Sequence, residues 1–176
     1  GNRVFVTTVV SEGEIEEPQK GLYLGGNRPE PPTDVHHFKV LALDSATGKL
    51  THKCDCQVSA GEPGALAAKP DKRFLLAAIR STGKLASFHL DAATGKLTHI
   101  NTVTVGPDPA HISTDRAGRY LLTAYYVDAK VTVHAIGKDG TLSEKPIQSI
   151  PTAVKAHAIV PDPSNRLVFV PHTGPN

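Results

Sequence analysis

The chain is 176 residues long, carries a formal net charge of +2, and is 39% hydrophobic, with two cysteines and no tryptophan. No run of 18 apolar residues exists, so no membrane-spanning helix is expected, and the near-neutral charge with no Lys/Arg cluster among aromatics argues against a nucleic-acid partner. No signal-peptide pattern opens the chain, but its first residues read as the second strand of a repeat unit cut at its start, so cytoplasmic and periplasmic locations both stay open.

In chain order, the first unit, residues 1–58, reads as three strands interrupted by an acidic and Pro-rich insertion at 10–34, expected to be a solvated loop. Its outer hairpin carries the sequence DSATGKLTH at 44–52, and 47 positions later DAATGKLTH returns at 91–99. Gly48 and Gly95 supply a positive φ, and Asp44 and Asp91 are expected to bond their own turn backbone. A weaker third copy, GKDGTL, lies at 137–142. Arg73, Arg119 and Arg166 recur at intervals of 46 and 47, each after an Asp-containing turn and before an apolar run. Ala65, His111 and His157 fall into the same register at intervals of 46.

Short β-rich runs bounded by Gly, Pro, Asp and Asn, with no sustained helical period, predict strands; in the best-defined stretch these are 98–105, 110–115, 119–126 and 130–136. The expected class is therefore all-β: a β-propeller of four-stranded antiparallel blades of about 46 residues each, because one such sheet cannot bury both faces alone. The blades are read as 1–58, 59–105, 106–150 and 151–176, which is about 3.5 blades of an expected seven. The missing blades are then the chain's first partner, since an open arc leaves a bare inter-blade face.

In a propeller the first strand of each blade lines the central channel, so His111 and His157 are expected on that wall in successive blades. A neutral imidazole there suits a general base near pH 7, with a hydrogen-bonded structural role as the alternative. Lys155, two positions before His157, is expected on the same strand face, offering a cation to a carboxylate or phosphate. Arg80, ending LLAAIR, and Tyr125 and Tyr126, ending LLTAYY, are placed in loops after second strands. There Arg80 could grip an anion, with a solvated loop residue as the alternative. His36 and His37, at the start of a strand beside the insertion, read as surface or loop-packing residues, and His52 and His99, on outer strands after the hairpin turns, as solvated. Cys54 and Cys56 point to one face of a strand, but a structural zinc site needs about four ligands, so neither a metal nor a strained local disulfide is expected. No nucleotide, serine-nucleophile or zinc-protease motif is present, and no cofactor is expected.

The stretches GPDPAHISTDRAGRYLLTAYYVDAKVTVHAIGKDGTLSE, 106–144, and AHAIVPDPSNRLVFVPHTGPN, 156–176, together with the recurring DxATGKL turns, resemble a seven-bladed β-propeller lactonase family with 6-phosphogluconolactonase-like and carboxymuconate-lactonizing members. The resemblance implies a site at the channel mouth built from an inner-strand His with Arg and Glu from neighbouring blades, the latter two lying beyond Asn176. Against the family motif PHAHS this chain reads VKAHA, so His157 matches the second His and Lys155 replaces the first. Tyr125 stands where the family has Asn, Tyr126 matches, and His172 stands where Asp is usual. The function expected is hydrolysis of a sugar-acid lactone, with His157 as catalytic base and Lys155, His111, Arg80 and Tyr126 as substrate-binding residues. A non-catalytic ligand- or protein-binding propeller and a muconate-type cyclising enzyme are the alternatives.

Overall fold

The computed structural model describes residues 4–11, as backbone, and residues 36–174. The 10–34 insertion, beyond the last two residues of the first strand, lies outside the described residues. Among the described residues, thirteen strands form consecutive antiparallel sheets. The first holds β1 (Val4–Ser11), β2 (His36–Leu43) and β3 (Leu50–Val58). The second holds β4 (Pro63–Ala68), β5 (Phe74–Ile79), β6 (Lys84–Leu90) and β7 (Leu97–Thr104), in that spatial order. The third holds β8 (Pro109–Thr114), β9 (Tyr120–Tyr125), β10 (Lys130–Ala135) and β11 (Gln148–Pro151). A short pair, β12 (Val160–Pro161) and β13 (Val168–Phe169), follows, extended by a bridge between Ala156 and His172. This meander of four-stranded units is the β-propeller arrangement, and the strands expected at 98–105, 110–115, 119–126 and 130–136 are β7 to β10 within a residue or two at each end.

The local chemistry repeats with the letters. In the two DxATGKL turns, Asp44 Oδ1 accepts the N–H groups of Ala46 and Thr47, and Asp91 Oδ1 those of Ala93 and Thr94. Gly48 and Gly95 then close the turns at φ 72° and 81°. Each turn joins the two outer strands of one sheet. The second repeated signal, Asp before Arg, has an equally local cause: Asp115 Oδ1 accepts from Arg119 N at 2.6 Å and Tyr120 N at 2.9 Å, and Asp162 Oδ1 from Arg166 N at 2.9 Å and Leu167 N at 2.8 Å. These carboxylates fix the turn from the innermost strand to the second.

Burial of both sheet faces explains why the second strands are apolar at nearly every position. Leu75, Ala77 and Ile79 of β5 pack with Phe38, Val40 and Val58 of the first sheet. Leu76 and Ala78, on the opposite face, pack with Ile112, Leu121, Ile136 and Leu142 of the third. Leu122, Ala124 and Val131 of the third sheet then meet Ala156 and Ile159 beside the last pair. The core is thus a series of inter-sheet seams, and β8 lies between β4 and β12 as the innermost strands line up. That alignment brings the His111 and His157 positions together.

Candidate functional site

Arg80 follows β5 and opens a single 3-10 turn, Arg80–Thr82. Its Nε donates to Asp108 Oδ1 at 2.6 Å. Asp108, in the connection between β7 and β8, has φ 52°, although it precedes Pro109 and such residues are ordinarily driven to extended backbone. A hydrogen bond helps hold it there, since its carbonyl accepts the Tyr126 N–H at 3.2 Å. Tyr126 follows β9; its own carbonyl accepts the Lys155 N–H at 2.9 Å, and its hydroxyl accepts from Thr173 Oγ1 at 3.3 Å. The Tyr126 ring meets His157 edge to face, with centroids 5.7 Å apart. Contacts therefore run without a break from Arg80 through Asp108 and Tyr126 to His157. Beside Arg80 an open cleft of about 500 Å³ is lined by Thr82, Thr104, Pro107 and Asp108.

The two register-matched histidines differ in their surroundings. His111, on β8, is half-buried and its Nδ1 accepts the Ile159 N–H at 3.3 Å, which leaves the ring proton on Nε2. Burial first, and the nearby His157 second, push the His111 pKa below its usual value, so the ring favours the neutral form. Ser113 Oγ adds a second tie by donating to the Ile159 carbonyl at 2.7 Å. His157 is exposed, and its backbone N–H donates to Pro171 O at 3.0 Å. One imidazole is thus tied to the neighbouring backbone, while the other packs against the Tyr126 ring.

Three placements differ from expectation. Lys155 is not on a strand face shared with His157: its φ of 63° is left-handed and lies outside any strand, which breaks the two-residue alternation. Its stem runs over Gly174, where an added Cβ would meet Lys155 Cδ at 3.3 Å. Tyr125 is the last residue of β9 and not a loop residue; it is fully buried, with its hydroxyl 3.1 Å from Thr132 Oγ1, so it faces an inter-sheet seam. Burial of that phenol raises its pKa to about 12. His36 opens β2, as its place at the start of a strand implied, but is buried where a surface or loop-packing residue was expected. His172 Nδ1 donates to Val154 O at 3.1 Å, tying the bridge beside Ala156.

Asp108 is the site residue that the sequence reading passed over. A signal existed: Glu62-Pro63 and Asp108-Pro109 stand at the same register, each acid three positions before Ala65 or His111. Among the described residues no cluster of three or more His, Cys, Asp or Glu is placed to hold a metal ion.

Comparison with known proteins agrees with this architecture. Relatives include a 6-phosphogluconolactonase of Pectobacterium carotovorum, 38% identical over 102 residues, covering 58% of this chain and 30% of the relative. A 6-phosphogluconolactonase of Pectobacterium atrosepticum is 35% identical over 126 residues, covering 72% of this chain and 37% of the relative. The chain thus spans about a third of the length of these two proteins. Among solved structures, a putative 6-phosphogluconolactonase from Bacteroides uniformis superposes with a TM-score of 0.67 at 27% identity, over 77% of this chain and 42% of that one. The family model described as lactonase, 7-bladed beta-propeller matches residues 22–175. With its meander of antiparallel sheets and with His111 and His157 46 residues apart in matching blade positions, the chain belongs to the seven-bladed β-propeller lactonase family.

Proposed function

We propose that the protein is a lactonase-type hydrolase opening a sugar-acid lactone of the 6-phosphogluconolactone class, with His157 as general base. The observation that carries this reading is an imidazole seated against Tyr126 and beside a second, neutral-favouring imidazole, at the end of a polar rim that begins at Arg80. The names of the relatives support the substrate class. In this reaction His157 takes a proton from water as the oxygen adds to the lactone carbonyl carbon. The tetrahedral oxyanion is stabilised by Arg80, Lys155 or a cation from another blade. Collapse breaks the ring C–O bond, and His157 returns the proton to the departing alkoxide, leaving the open hydroxy acid. Arg80 also suits the anionic end of such a substrate, because a guanidinium presents paired donors to phosphate or carboxylate.

A propeller that holds a ligand without turnover is the second reading, favoured by the Asp108 carboxylate that already engages Arg80 at 2.6 Å. In the protein carrying the complete ring, His157→Ala is expected to slow hydrolysis of 6-phosphogluconolactone by roughly 10²- to 10⁴-fold with little change in thermal stability. Equal rates in parent and variant remove His157 from this role. A parent that binds the lactone without opening it establishes the second reading.

A further inference from the structure

Cys54 and Cys56 lie on the outermost strand of the first sheet with their sulfurs 3.5 Å apart. Both are half-buried against the seam with the second sheet. They also hold that seam: Cys54 Sγ donates to the Gly95 carbonyl at 3.4 Å, and the Leu97 N–H donates to Cys56 Sγ at 3.4 Å. The next seam shows what this position ordinarily does. Cys54 pairs with Val40 just before a bulge, as Asn101 pairs with Ser87 just before the corresponding bulge. There one asparagine makes both bonds, Nδ2 donating to Leu142 O at 2.9 Å and Oδ1 accepting Leu142 N–H at 3.0 Å. In the first seam two thiols replace that amide, with weaker and longer bonds.

We propose that Cys54 and Cys56 form a reversible dithiol–disulfide couple that acts as a redox-responsive clasp between the first two sheets. The co-reactant is a low-molecular-weight disulfide. One thiolate attacks a sulfur of that disulfide and expels one thiolate; the second cysteine then attacks the mixed disulfide and expels the other. The protein loses two electrons and two protons, and the small disulfide becomes two thiols. Residues two apart on an extended strand have Cα atoms about 6.6 Å apart, near the long end of the disulfide range. The bond therefore forms under strain and is readily reduced again, as befits a switch and not a permanent staple. Burial, then the neighbouring Cys56 thiol, pushes the Cys54 pKa up to about 11, so Cys54 suits the second, resolving step. Lys53 and Lys96 border the opening over the pair together with Asp55, a rim of net positive charge that favours an anionic disulfide such as oxidised glutathione.

Oxidation engages both sulfurs with each other and weakens their hold on the Gly95–Leu97 turn. The test uses the protein treated with oxidised glutathione. Intact mass is expected to fall by about 2 Da, reversed by dithiothreitol, and the Leu97 amide should exchange with solvent roughly two- to fivefold faster in the oxidised form. Cys54→Ser is expected to stop at a single glutathionyl adduct on Cys56, and the Cys54→Ser/Cys56→Ser double variant to show neither change. Two thiols that remain free to alkylation after treatment, or a parent that stops at the mixed disulfide, overturn the couple. A disulfide that leaves Leu97 exchange unaltered overturns the clasp.

Discussion

Gly140, in the weakest of the three repeated turns, is where the turn chemistry and the inter-sheet packing meet most sharply. Its φ is +87°, and a Cβ built there would lie 2.3 Å from Phe74 Cδ1, 2.6 Å from Phe74 Cε1 and 2.8 Å from Ile100 Cδ1. Phe74 is buried in the seam at 4% exposure and cannot swing into solvent to make room. The backbone term for placing an L side chain in left-handed geometry is about 1–2 kcal/mol, and overpacking a formed core adds about 1–3 kcal/mol. Gly140→Ala is therefore expected to destabilise by roughly 2–5 kcal/mol. Gly48→Ala supplies the control, because at φ +72° it incurs the backbone term while nothing lies within 4 Å of its Cβ. Urea denaturation of both variants at neutral pH separates the two contributions. Equal losses would show that Phe74 yields freely and that the seam is not tightly packed; losses below about 0.5 kcal/mol in both would refute the turn geometry itself.

His134 is fully buried, and burial lowers its pKa, so the unfolded chain takes up a proton before the folded one. Its stabilising contribution is accordingly present above the ordinary histidine value of about 6.5 and lost as pH falls through the lowered folded value; urea midpoints between pH 8 and pH 5 should drop less in His134→Gln than in the parent. Asp108→Asn, which keeps the shape but removes the charge facing Arg80, is expected to change KM for a phosphorylated lactone more than kcat, and an unchanged KM would exclude Arg80 from substrate binding. Residues 1–176 expressed by themselves leave Leu167 and Phe169 exposed at 61% and 58%, so sedimentation should show association; a cooperatively melting monomer would contradict that.

The fold was legible because its determinants are local and repeated. The DxATGKL turn specifies its own backbone through one carboxylate and one glycine, the Asp-to-Arg turn does the same, and a copy 46 or 47 residues on must take the same shape. The register that aligns His111 with His157 follows from that repetition. What the letters could not supply was direction and partnership across seams. Lys155 was placed beside His157 by strand alternation, yet its left-handed φ, set where its N–H meets Tyr126 and its carbonyl meets Thr173, turns it out of that alternation. Arg80 looked like a free loop cation, and only the packing of the second sheet on the third brings it onto Asp108. Cys54 and Cys56 lacked the further ligands of a zinc site, and only the seam gives each sulfur a backbone partner 41 residues away. Local hydrogen bonds close within a few residues and are written in sequence; the contacts that make a site join residues dozens of positions apart, and only the stacking of the sheets chooses them.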